Sequence, residues 1–321
     1  MRVVDERALS EVIGFILILA LLTVFLSMYN LYVVPAQGRE DEIDHMNDIR
    51  ERFINYKISL DNLWMNNMSG NQMTGITLST AFELSNTGSA TAGGGFLMPV
   101  MSPVPSTGAF MVGTRTDTIS FIADDGTNPS EVYNETMGDV QLEVDNNYFI
   151  PQSYYYQMGG IFLEQQDGTS VRVSPSLSIY RLINLDPEVG NTTVVNCVPI
   201  QMYRGPSAYT SGQGVVRVDT RLRYPIVQED FPGNESVTIT VQAEDEKSAD
   251  AWRNIFQDAV WRAGFTASDE GTYYDITNDT RTDISLTLNA YTDEEPAIHQ
   301  VDLHLIEPSY IATLQTVTTA A

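Results

Sequence analysis

The chain has 321 residues, a formal net charge of -25 and a single cysteine. So acidic a surface disfavours nucleic acid and anionic lipid as partners, and one thiol excludes an intrachain disulfide, so stability must come from packing. The length allows one large or two small folded units beside a membrane segment. Lysine occurs only at Lys57 and Lys247, the other bases being arginine. Excess carboxylate with scarce lysine points to adaptation to high salt, where screening removes self-repulsion; an ordinary acidic surface protein is the alternative.

Residues 1–7 form a charged leader. The run from Val12 to Val34, VIGFILILALLTVFLSMYNLYVV, carries no charge. As a helix it measures roughly 35 Å, against a hydrocarbon core of about 30 Å, so a transmembrane helix is expected over 8–35. The run is too long for the apolar region of a secretory signal peptide, although Val34-Pro35-Ala36 offers a cleavage site after Ala36. Glu11 lies close enough to the interface to reach water. It is a candidate assembly contact for the free amine of a neighbouring subunit, or a plain interfacial residue. Ser10 is placed to cap the helix.

The residues Asp5-Glu6-Arg7-Ala8-Leu9-Ser10-Glu11-Val12-Ile13-Gly14 resemble the N-terminus of haloarchaeal type IV pilins and pilin-like proteins. The family pattern is Asp-Asp/Glu-Arg followed by Ala-Val-Ser-Pro-Val-Ile-Gly, and Glu11 departs from it where proline is common. The resemblance implies that a prepilin peptidase cuts between Arg7 and Ala8, with Gly14 part of the signal. It also implies a single-pass anchor with a cytoplasmic N-terminus and an extracellular head, and other pilin-like subunits as partners. Charge alone sets topology weakly, because Arg2 and Arg7 precede the run and Arg39 follows it.

Pro35 and Gly38 predict a break or kink after the run. A stalk helix is then expected over 36–66. Met46, Ile49, Phe53, Tyr56, Leu60 and Leu63 recur with a period of 3.5, an apolar seam that packs on the same chain's head or on a second copy. His45, among acids, reads as solvated. The β-rich head is expected over 70–235, after a polar linker from Asn66 to Thr74. Ile76, Leu78, Phe82 and Leu84 alternate; Thr118–Ile122 and Val140–Val144 are short strands; Asp167-Gly168 marks a hairpin. The stretch from Asn146 to Tyr156, with Gly159-Gly160, also resembles the head of an archaeal pilin-like membrane family, a resemblance that implies no activity. An α+β part follows over 236–321. It has a strand at Val237–Val241, a helix from Ser248, its cap, to Ala263, stopped by Gly264, and strands at Ile284–Leu288 and Val301–Leu305. The fold class is therefore α+β: a long N-terminal transmembrane helix, an amphipathic stalk, and a mostly antiparallel β head with one C-terminal helix on a sheet.

No nucleophile–base set is visible, and His45, His299 and His304 lack metal-ligand spacing, so neither enzyme activity nor a cofactor or metal is expected. His304 reads as a solvated partner of Asp302. Asp124-Asp125-Gly126 and Glu244-Asp245-Glu246 read as turn chemistry or solvated charge rather than calcium loops. Arg217, Arg221 and Arg223 share a strand face and could grip an acidic glycan or a neighbouring head, or pair within the face. Tyr148, Phe149, Tyr154, Tyr155 and Tyr156 could stack on sugars or pack in the core. Asn67, Asn134, Asn191, Asn234 and Asn278 begin Asn-x-Ser/Thr acceptors for glycans.

Overall fold

The computed structural model describes residues 6–69, 75–86, 102–182, 191–290 and 300–316. The leader up to residue 5, His299 and most of the 66–74 linker lie outside them. Helix α1 (Glu6–Met28) runs into a π-helical turn (Tyr29–Val33) and directly on into α2 (Val34–Met68). The expected break at Pro35 is thus not a break. Pro35 offers no N–H to a carbonyl four residues back and its ring crowds that carbonyl. The helix meets this with one wide turn, in which the Val34 N–H bonds Tyr29 O, five residues back, a common way to absorb such a defect.

The head strands, in chain order, are β1 (Thr77–Glu83), β2 (Thr107–Val112), β3 (Thr118–Asp124), β4 (Pro129–Thr136), β5 (Asp139–Asp145), β6 (Gln152–Gln157), β7 (Gly160–Gln165), β8 (Gly168–Val173), β9 (Leu177–Leu182), β10 (Thr192–Cys197), β11 (Gln201–Arg204), β12 (Tyr209–Gly212), β13 (Val215–Asn234), β14 (Ser236–Gln242), β15 (Tyr274–Asn278), β16 (Asp283–Asn289) and β17 (Gln300–Thr316). Helix α3 (Glu246–Arg262) falls between β14 and β15. The strands make three sheets, ordered β1-β13-β17-β10-β9, β12-β2-β5-β6-β7-β8 and β15-β16-β14-β3-β4, with β11 also on β17. Among the described strands all pairings are antiparallel except β10 and β11 with β17. The fold class is α+β, as the sequence predicts.

Two apolar clusters hold the layers together. One takes the stalk seam, β1, the stalk-facing residues of the middle sheet, and Val216, Val218, Tyr310 and Ala312. The other takes α3, the β15–β4 sheet, and Val301, Leu303 and Leu305. β17 therefore passes through both cores, and β13 lies beside it along most of its length. The middle sheet is covered on both faces, which explains the uninterrupted burial of β6. Tyr154 and Tyr156 face the stalk, while Tyr155 faces α3 and stacks on Phe162 at 4.8 Å. These tyrosines are core residues, so the stacking surface for sugars they were a candidate for is not there.

Helix α3 buries Trp252, Ile255, Phe256 and Val260. Its cap is Asp245, not Ser248: the Asp245 carboxylate accepts the Ser248 N–H at 2.7 Å, the usual cap-to-third-residue bond. Gly264 ends it with φ +89, a conformation glycine adopts without steric cost.

Candidate functional site at the helix–head junction

The helix from Glu11 to Met68 is one object in two environments. Between Val12 and Val33 its large apolar side chains are exposed, as at Phe15, Leu21 and Phe25. From Val34 on it is amphipathic, and the seam Met46, Ile49, Phe53, Tyr56, Leu60 and Leu63 is buried in the head. Phe53 is the hub. Its ring centroid lies 5.0 Å from Phe82, 6.4 Å from Phe110 and 6.2 Å from Tyr154. The seam packs on its own chain, one of the two arrangements the period of 3.5 allows.

Polar contacts fix the helix against sliding. The Glu42 carboxylate, with no exposed surface, accepts three successive backbone N–H groups, from Asn147 at 2.6 Å and from Tyr148 and Phe149 at 2.8 and 2.6 Å. A charge out of water is tolerated only with its lone pairs satisfied, and three charge-assisted bonds do this. One turn earlier, the Tyr148 ring lies against Gly38. A Cβ at Gly38 would overlap the ring, so only glycine admits this approach. Further along, His45 Nε2 bonds the Glu83 carbonyl at 3.1 Å. Arg52 bonds the Ala81 carbonyl at 3.0 Å and the Glu83 carboxylate at 2.9 Å. Deeper still, the Tyr56 and Thr220 hydroxyls meet at 2.7 Å, and the Tyr310 hydroxyl donates to the Leu60 carbonyl at 2.7 Å.

His45 is buried, which corrects the solvated reading of its acidic sequence neighbourhood. Because a carbonyl can only accept, Nε2 carries the proton and Nδ1 is left without a partner. Burial lowers its pKa from the usual 6.5, against the opposing pull of the Glu83 carbonyl and of the Glu83 and Asp48 charges.

A second polar knot joins the middle sheet to α3. The buried Arg115 guanidinium bonds Asp117 at 2.8 Å, Glu164 at 3.0 Å and the Ser248 hydroxyl at 2.7 Å, and lies 4.2 Å over the Tyr155 ring. Asp139 accepts the Arg115 backbone N–H at 2.9 Å, and burial raises its pKa above the ordinary value.

The remaining candidates fall as follows. Arg7 and Ala8 lie in the first helical turn, Glu11 and Gly14 farther along α1; Glu11 is exposed. The arginine face exists on β13, with Val216, Val218, Thr220 and Leu222 buried opposite. Arg217 pairs with Asp219 at 3.1 Å and bonds Gln315, Arg223 lies 4.6 Å over the Tyr203 ring, and Arg221 is exposed. His304 pairs with Asp230 across the strands at 2.6 Å rather than with Asp302, which instead accepts the Gly233 N–H at 2.8 Å. Asp125 makes a turn, accepting the Thr127 N–H at 2.9 Å, and its pKa is lowered by these backbone bonds. Among the described residues no three His, Cys, Asp or Glu side chains cluster to hold a metal. Asn134 and Asn278 are exposed, and Asn67 and Asn191 partly so. Asn234 is not a free acceptor in the folded head: it is buried and its amide donates to Phe231 O at 2.7 Å and Val301 O at 2.9 Å.

Glu42 and Arg115 carry no local sequence signal, and Gly38 signals only a break, since their partners lie far along the chain. No protein-family model, curated protein or solved structure matches this chain.

Proposed function

We propose that this is a membrane-anchored, surface-exposed protein of pilin-like construction, with its N-terminus cytoplasmic and its head outside. In this reading a prepilin peptidase removes the leader between Arg7 and Ala8, and the protein serves as a minor or tip subunit of a type IV pilus-like assembly. The carrying observation is the continuous helix whose first half is bare and apolar and whose second half is the buried spine of a β head. A helix with that division of surface can sit in lipid or in the centre of a fibre while holding the head rigidly. A head of this size suits a minor or tip position better than a repeating one.

The role is structural rather than catalytic. In support, the buried Cys197 thiol has its pKa raised by burial, which makes it a poor nucleophile, and His45 is spent on a backbone carbonyl. Glycans would attach at Asn134 and Asn278, the exposed acceptors. A non-polymerising adhesin or ligand-binding protein exported by the same route is the second reading, favoured by exposed Arg221 on its strand face.

N-terminal sequencing of the membrane-extracted product tests the export route. Ala8 as first residue supports it; Met1 or Gln37 contradicts it. Electron microscopy for filaments containing this chain then separates the subunit from the lone adhesin.

A further inference from the structure

We infer that the head rests on the bilayer surface through the loop 146–151 and the adjoining segment at Val104, with Arg39 reaching a lipid phosphate. This deepens the membrane-anchored reading above and rests on it. The argument is one of depth. Gly38 lies about 6 Å beyond Val34 along the helix. The headgroup layer outside the hydrocarbon is roughly 5–8 Å thick, so Gly38 is level with it. The Tyr148 ring is seated on Gly38, and Glu42, one turn on, fixes the backbone of residues 147–149. The Tyr148 hydroxyl accepts the Val104 N–H at 3.1 Å. The loop and the Val104 segment are thereby held at headgroup level.

The chemistry at that level suits an interface. Val104 is 58% exposed and Ile150 46%, two aliphatic side chains that the described residues of this chain leave uncovered. A tyrosine such as Tyr148, with an apolar ring and a polar end, favours the headgroup depth. The exposed Arg39 lies with its guanidinium 5.8 Å from the Phe149 ring centroid, placed so that its stem follows apolar surface while its head meets phosphate. Glu40 and Asp145 are exposed nearby in sequence, which favours zwitterionic over anionic lipid.

The test uses the full chain in phosphatidylcholine vesicles, with an environment-sensitive fluorophore on Ile150→Cys or on Val104→Cys. Native Cys197 is 1% exposed and does not compete in the folded chain. Leu26→Cys, inside the span, and Met65→Cys, about 45 Å beyond Val34, are the references. Phosphatidylcholine brominated at a shallow acyl position is the quencher. We expect the probes at 150 and 104 to be quenched several-fold more than the probe at 65. Quenching at 26 with 150 and 104 behaving like 65 overturns the inference and leaves the anchor intact. No quenching at 26 overturns the anchor itself. Shielding at 150 that depends on the protein-to-lipid ratio, without lipid quenching, assigns the face to a second copy and also overturns the inference.

Discussion

The two halves of the long helix have the same backbone and opposite surroundings. Between Val12 and Val33 the large apolar side chains are exposed, Thr23 and Ser27 donate only to carbonyls one turn back in the same helix, and the helix is apolar on every side. Between Val34 and Met68 one stripe is buried and the other carries charge. An all-round apolar helix needs a solvent other than water, whereas a striped one needs a partner surface. The boundary is sharp because the π turn, Gly38 and Glu42 follow within three turns, and the head begins there.

Several substitutions sharpen or break that contrast. The largest effect is expected from Leu22→Arg with Leu19→Arg, near the middle of the apolar half. A charge at mid-span costs about 2.5–3.5 kcal/mol on insertion scales, so the double variant should leave the membrane fraction while its head keeps native protease resistance. Retention in the membrane pellet would contradict the assignment of that half to lipid. Next comes Phe53→Ala in the striped half, expected to cost about 3–5 kcal/mol. Thermal or urea unfolding of the head measures it, and an unchanged midpoint would mean that the seam is not part of the core. Glu42→Ala should cost less, about 1–3 kcal/mol, for the donors left unsatisfied. Glu42→Gln keeps an acceptor and should cost less again; equal losses would show that the loop is held by something other than these bonds.

The smallest effect is the pH dependence of His45. Its folded pKa is lowered by burial from 6.5, so the unfolded chain takes up the proton first as pH falls. The His45 contribution is therefore complete above about 6.5 and is lost as pH drops through the folded value. Urea midpoints from pH 7.5 to 5 should fall more for the native chain than for His45→Gln, whose amide can still donate to the Glu83 carbonyl. Parallel curves would place His45 in water.

What could be read from the sequence followed from periodicity. The uncharged run, the 3.5-residue seam and the alternation of Val237–Val241 each repeat a local rule, so the helix, the stalk and β14 were legible. So were the buried stripe of α3 and its Gly264 stop. What could not be read was pairing across distance. Glu42 sits in Arg-Glu-Asp-Glu and looks like any solvated acid until residues 147–149 fold over it. His45 reads as solvated for the same reason, although it is buried. β13 was visible only over Val216–Arg223, because Pro225 and Pro232 interrupt the pattern; the strand tolerates them by shifting register between Arg223 and Val227 and between Phe231 and Asn234. Asn234, an acceptor by its triplet, became a core hydrogen-bonding residue at the second of those irregularities.

The most direct measurement is a nitroxide scan of the full chain in vesicles, one label at a time from residue 12 to residue 60, read by collision with lipid-soluble oxygen. High and even oxygen access up to Val33, then a fall with a 3.5-residue oscillation that is lowest at Met46, Phe53 and Leu60, is the predicted profile. A profile in which residues 12–33 show the same oscillation, or report water, would contradict a helix shared between lipid and head.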